Sequence, residues 1–243
     1  NSTDPVSESM RIIRSNMSFM KVQSERMQSV MVTSSNPSAG KTFISSNLAM
    51  SLAMTDKRVI LIDFDLRRRT LSKEFGQRHA RKGLSSYLAG TFTELDDIIF
   101  NSNMHANLDI IYAGPQPPNP AEMLLSEKLD KMIAELKKRY DYVIIDAVPA
   151  LMVADAQIID RLADLTIYVV REGLLDRRQL PDIERLYTTG RFHNMSVVLN
   201  GATAQSGYGY RHGYGYGYGY GYATEKVGKK KSMWDKLKNK SKK

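Results

Sequence analysis

Cysteine is missing altogether from the 243 residues. Its absence excludes a disulfide scaffold and thiolate metal sites, and permits a reducing compartment without requiring one. Histidine is scarce, four in all, with no metal-ligand spacing among them, so the histidines read as surface residues. No apolar run reaches the ~18 residues needed to span a bilayer, and no signal-peptide pattern stands at the start. The chain opens at Asn1-Ser2-Thr3-Asp4-Pro5 without a methionine, which fits a piece of a longer polypeptide with a membrane anchor upstream.

A basic excess is also missing from most of the chain. The formal net charge is +9, but residues 225–243 hold nine lysines against Glu225 and Asp235, and Arg211 adds one more. Residues 1–207 are left with about +1. The excess belongs to a tail, so no nucleic-acid partner is expected. What remains is ordinary for a globular protein, at 42% hydrophobic and 25% charged, and long enough for one domain with a sizeable core plus tails.

Short apolar runs alternate with helical patterns. Strands are expected at 29–35 (SVMVTSS), 58–63 (RVILID), 107–114 (NLDIIYAG), 142–146 (YVIID), 165–171 (LTIYVVR) and 195–201 (MSVVLNG). Helices are expected at 41–55, where Ile44, Leu48, Leu52 and Ala53 share a face, and at 121–140, 153–163 and 176–189. Near-continuous apolar strands separated by helices predict an α/β fold: a mostly parallel central sheet with helices on both faces. Four segments follow: an N-terminal helical segment at 1–28 containing ESMRIIRSNMSFMK, a core at 29–202, a Gly/Tyr tail at 203–224 and a basic tail at 225–243. Glycine at alternate positions makes the Gly/Tyr tail costly to order, and disorder is the expectation for 203–243. That tail displays seven tyrosines, Tyr208, Tyr210, Tyr214, Tyr216, Tyr218, Tyr220 and Tyr222.

SNPSAGKT (35–42) follows a strand and opens a helix. It is a P-loop with Ser35 where the pattern G-x-x-x-x-G-K-[ST] has its first glycine. Loop N–H groups and the helix start point at phosphate oxygens, Gly40 lets the backbone come close, Lys41 reaches the β/γ-phosphates, and the Thr42 hydroxyl suits Mg²⁺. Nucleotide contacts are expected from Pro37, Ser38, Ala39, Gly40, Lys41, Thr42 and Phe43. Two further strands end in carboxylates: Asp63, with Asp65 and Arg67 just beyond, and Asp146. Ligands of open α/β sheets sit at the carboxyl ends of strands, so these acids belong beside the phosphates. Thr42, Asp63 and Asp146 are the metal candidates, and one aspartate is left to accept a proton from an attacking hydroxyl. Arg67, Arg68 and Arg69 suit transferred phosphate, Arg67 best, but a basic run equally suits a solvated face. Asn200, ending a strand, is placed to read the base or to make a turn.

The combination of SNPSAGKT, VILIDFDLR and YVIIDAVP resembles the bacterial tyrosine kinases, the cytoplasmic kinase domains of polysaccharide co-polymerases. The resemblance covers essentially the whole chain. It implies a P-loop NTPase fold of the deviant Walker A (MinD/ParA-like) class, ATP and Mg²⁺ as cofactors, and tyrosine phosphorylation as the reaction. It also implies that Lys41, Asp63, Asp65, Asp146 and Arg67 form the catalytic set, that Asp63 and Asp65 serve metal and phenol activation, and that the seven tail tyrosines are the phosphoacceptors. Glu8, Arg11 and Arg14 match the family's E-x-x-R-x-x-R helix, implying a homo-oligomeric ring, an octamer in relatives. Further implied partners are an activating transmembrane segment or subunit and a cognate tyrosine phosphatase, at the cytoplasmic face of the inner membrane. DAVP departs from the family's D-[ST]-P-P after the aspartate. The rival reading is a MinD/ParA-like switch ATPase without kinase activity; those proteins carry a lysine five residues before the P-loop lysine, where this chain has Asn36.

Overall fold

A computed structural model describes residues 4–20, 27–77, 81–150, 155–192 and 194–202. The Gly/Tyr tail, its seven tyrosines and the basic tail lie outside the described residues. The strands in chain order are β1 (Ser29–Ser34), β2 (Val59–Asp63), β3 (Phe100–Asn101), β4 (Leu108–Ile111), β5 (Tyr142–Asp146), β6 (Leu165–Arg171) and β7 (Met195–Asn200). The helices are α1 (Pro5–Phe19), α2 (Lys41–Ala53), α3 (Thr70–Glu74), α4 (Leu84–Leu88), α5 (Pro120–Leu124), α6 (Glu127–Arg139), α7 (Asp155–Asp160) and α8 (Leu180–Thr188).

Among the described residues the strands form one sheet in the order β3-β4-β2-β5-β1-β6-β7. Every pairing is parallel except β3 with β4. The expected mostly parallel sheet is therefore present. The six anticipated strands are there, and two-residue β3 is an addition too short to carry a periodic signal.

Strand alternation divides the core between the two faces. On β2, Ile60 and Ile62 join the cluster under α4 to α8, while Val59 and Leu61 face the cluster under α1 and α2. The helix α2 lies between the sheet and α1, so nearly its whole circumference is buried. Small side chains such as Ser45, Ala49 and Ser51 allow that close approach. On α1, Met10 and Met17 are buried two turns apart, and between them the Arg14 guanidinium donates to Ser51 O at 2.7 Å. That carbonyl belongs to the last turn of α2, where carbonyls lack helical partners and a cation is favoured.

The single helix expected over 121–140 is two. Between α5 and α6 the Ser126 hydroxyl caps α6 by accepting from Leu129 N at 3.4 Å and donates to Met123 O at 2.7 Å. A capping serine at this point interrupts an apolar period that otherwise runs straight through.

Candidate active site

The sheet order places β5 between β1 and β2, so the chain crosses over β5 on its way from β1 to β2. The carboxyl ends of these three strands form one crevice. The turn from β1 into α2 has Ser38 at φ 63° and Gly40 at φ 97°. Gly40 is required twice over. Its backbone is left-handed, and a Cβ there would collide with the side-chain amide of Asn200. That amide donates to Ala39 O at 2.9 Å. Arg171, at the end of β6, donates to Ser38 O at 2.8 Å. Asn36 reaches Gln179 Oε1 at 3.3 Å. The loop is thus held from outside by residues of three later segments.

Lys41 and Thr42 begin α2 and are buried. Burial holds the Lys41 ammonium below its ordinary pKa, against the attraction of Asp146 and Asp65. The Thr42 hydroxyl donates to Asp146 Oδ2 at 2.7 Å. The other oxygen, Asp146 Oδ1, is buried and has no hydrogen-bond partner. Burial, reinforced by the charge of Asp63, pushes the Asp146 carboxyl up to about 8, with the Thr42 hydroxyl and Lys41 opposing.

Asp63 and Asp146 are register partners at the ends of β2 and β5. Burial raises Asp63 to about 7, against the hydrogen bonds of Ser72. Its oxygens are fully engaged: Oδ1 accepts from Asp65 N at 3.1 Å, and Oδ2 from Ser72 N at 2.9 Å and Ser72 Oγ at 2.7 Å. Asp63 thereby ties β2 to α3. Asp65 is also buried and accepts from Arg68 N at 2.8 Å. Ionising Asp63 and Asp146 beside Asp65 would set three negative charges against one lysine, an excess that a divalent cation would offset. Among the described residues no group of three or more His, Asp or Glu is arranged to hold a metal alone. Mg²⁺ takes one or two protein ligands and completes its shell with phosphate oxygens and water. Thr42 Oγ1 and the unpartnered Asp146 Oδ1 fit such an ion.

The three arginines part company. Arg67 is half exposed and donates from Nε to the buried Asp155 of α7 at 3.0 Å. That pairing raises its pKa further. Arg68 is exposed. Arg69 has φ 54°, and its NH1 reaches Gly114 O at 3.4 Å. The structure therefore brings Lys41, Thr42, Asp63, Asp65 and Asp146 to one crevice, with Pro37 to Phe43 and Asn200 at its P-loop wall. Glu8, Arg11 and Arg14 lie apart on α1. There Glu8 and Arg11 form an exposed ion pair at 3.3 Å, and Arg14 is spent on α2. Sequence reasoning missed Ser72, Asp155, Gln179 and Arg171. Only Arg171 carried a signal, as the last residue of a strand at the ligand-binding edge.

A family model described as an AAA domain matches residues 27–173. Tyrosine-protein kinase YwqD of Bacillus subtilis is 36% identical over 195 residues, which cover 80% of this chain and 81% of that protein. The chain belongs to the bacterial tyrosine-protein kinases. Tyrosine-protein kinase wzc of Salmonella typhimurium is 36% identical over 206 residues, covering 85% of this chain but 27% of that protein. The chain thus spans about a quarter of that relative's length. The kinase domain of Escherichia coli tyrosine kinase ETK matches with a TM-score of 0.72 at 32% identity, over 89% of this chain and 82% of that one. The septum site-determining protein MinD of Pyrococcus horikoshii, a complex with Mg-ADP, has a TM-score of 0.58 at 22% identity, over 71% and 69% of the two chains; this likeness shows a shared fold. As a member of the family the chain is of the protein-tyrosine kinase class, and its P-loop is a nucleotide-binding loop.

Proposed function

We propose that this domain uses Mg²⁺–ATP to phosphorylate the C-terminal tyrosines, Tyr208 to Tyr222, of a neighbouring copy in a ring of like chains. The observation that carries the reading is the Thr42–Asp146 pair, with one buried carboxylate oxygen free, beside Lys41 at the mouth of the P-loop. Thr42 and Asp146 would hold Mg²⁺, which would supply positive charge against the phosphates of ATP. Loop N–H groups and Lys41 bind the phosphates. Asp65 accepts the phenol proton as the phenolic oxygen bonds to the γ-phosphorus; the bond from that phosphorus to the bridging oxygen breaks, and ADP leaves. Asp63, with its oxygens committed to Ser72 and Asp65 N, positions the loop that carries Asp65. Arg67, steadied by Asp155, faces the transferred charge, and Asn200 borders the base.

Support for acceptors in the tail comes from composition. A glycine-rich segment brings a phenol in at small steric cost. Roughly 20 residues from the end of the core span ~25 Å as a coil, enough to reach a neighbouring site. The four-segment division and the Glu8–Arg11–Arg14 ring contact belong to the same reading. So do an activating transmembrane partner, a cognate phosphatase and a role in polysaccharide polymerisation or export at the cytoplasmic face of the inner membrane. Each phosphotyrosine adds about −1.5 to −2, so seven reverse the tail's charge and loosen the ring.

Intact mass and peptide mapping after incubation with Mg²⁺–ATP, beside Lys41→Met, test the reading. Phosphate on residues 208–222 that is absent in the variant is expected. ATP hydrolysis without phosphotyrosine would transfer the assignment to a switch ATPase. Light scattering tests the loosening: equal masses with and without phosphate would sink it.

A further inference from the structure

The edge strand β7 leaves an apolar groove beside α8. Alternation turns Met195, Val197 and Leu199 toward the α8 side of the sheet; Met195 is buried there, but Val197 and Leu199 are left exposed. Leu180 and Tyr187 on α8 are 51% and 65% exposed; Val197 and Leu199 on β7 are 57% and 59% exposed. Together with Ile183 they line a cavity of about 360 Å³, whose one charged lining residue is Glu184. Exposed apolar side chains gathered in one concave place, rather than scattered singly, mark a binding surface.

We propose that this groove takes the chain's own C-terminal segment Ser232–Lys238 (SMWDKLK), with Met233, Trp234 and Leu237 filling it. Four observations point to that occupant. The chain leaves β7 at Gly201, next to Leu199 in the groove wall, and continues for 41 residues beyond Ala202. In that stretch, tyrosine aside, the large apolar side chains are Val227, Met233, Trp234 and Leu237, three of them within five positions. Met233, Trp234 and Leu237 are spaced to share one face of a helix, and Ser232 with Asp235 three residues later makes the pattern of a capping box. Charge also matches: Glu184 lines the groove, and the segment contains Lys236 and Lys238 and is preceded by Lys229, Lys230 and Lys231. The linker from Ala202 to Met233 has a coil dimension of ~30 Å, so tethering holds the segment near the groove at an effective concentration on the order of millimolar. Docking would close the tyrosine segment into a loop fixed at both ends. That consequence rests on the proposed kinase reading; the docking itself does not.

Trp234 is the only tryptophan in the chain, so its fluorescence reads docking directly, without ATP or turnover. In the full chain, emission is expected to be blue-shifted and less quenched by acrylamide than in a synthetic 226–243 peptide, and to stay so on dilution. Leu199→Glu on the groove side and Leu237→Lys on the segment side should each return the peptide's emission. Circular dichroism and ATP binding serve as checks that both variants are folded. A blue shift that survives both substitutions overturns the proposal. A shift lost on dilution assigns the groove to a second copy and overturns docking within one chain. Peptide-like emission that shifts only with phosphatidylglycerol vesicles assigns the segment to a membrane surface and overturns it as well. Failure to phosphorylate tyrosine, with the blue shift intact, would remove the kinase reading and leave the docking standing.

Discussion

Asp63 and Asp146 are register partners on neighbouring strands, both buried, and both resist ionisation there. The native state keeps its protons up to about 7 and about 8, whereas an unfolded aspartate loses its own near 4. Between those limits the native chain binds more protons than the unfolded one, so raising the pH lowers stability, by at most ~1.4 kcal/mol per pH unit for each proton involved. Without nucleotide or metal, the thermal midpoint should fall from pH 6 to pH 8.5. Asp146→Asn should flatten that slope, and Mg²⁺–ATP should raise the midpoint most at the alkaline end. A midpoint independent of pH in the parent chain would contradict the assignment. The same substitution removes the oxygen assigned to Mg²⁺. Tail phosphorylation by Asp146→Asn should drop by roughly 10²- to 10³-fold, the scale seen when one preorganised electrostatic group is lost; quantitative phosphotyrosine mass spectrometry reads it.

At the scale of elements, α1 is pinned to α2 by Met10, Met17 and the Arg14 contact with the end of α2. Arg14→Ala should lower unfolding free energy by about 1–2 kcal/mol, the worth of a charge-assisted hydrogen bond, measured by urea denaturation at a concentration that keeps the chain monomeric. If Arg14 served subunit contact alone, that midpoint would not move. The contact of Arg14 with α2 was not legible in the spacing Glu8, Arg11, Arg14, which reads equally as a surface ion-pair helix. The strands were legible because buried parallel strands are continuous apolar runs, as in Val59–Ile62 and Val143–Ile145. The break at Ser126 was not, because Leu125, Leu129, Met132 and Leu136 keep one helical period across it. In the site, Gly40, Lys41, Thr42 and Asp146 were legible from local spacing and strand ends. The partners Ser72 and Asp155 were not: Arg67 finds Asp155 only through the fold, and Arg171 showed its strand end but not its contact with Ser38.

For the whole molecule, the order of reaction separates phosphorylation between copies from phosphorylation within one. A Lys41→Met chain with its tyrosines intact, mixed with an active chain carrying phenylalanine at the seven tail positions, should gain phosphate. The initial rate should scale with the product of the two concentrations at high dilution. No phosphate on the inactive chain would confine the reaction to a single copy. The tail departs at Gly201, immediately after the residue that touches the P-loop.

The clasp between Asn200 and Ala39 also gives the molecule a mechanical sense of direction. Among the described residues β7 is an edge strand, bonded to the sheet along β6 alone, and the tail begins beyond its carboxyl end. Tension applied through the tail loads that end of β7, where Glu172 N donates to Asn200 O at 3.0 Å and the Asn200 amide holds the phosphate loop. Nucleotide affinity would then register a pull before the core does. In an optical trap, with the handle at the C-terminus, ATP should dissociate at a lower load than the one that unfolds the sheet. Asn200→Ala should bring weakened ATP binding at zero load, with the unfolding force unchanged.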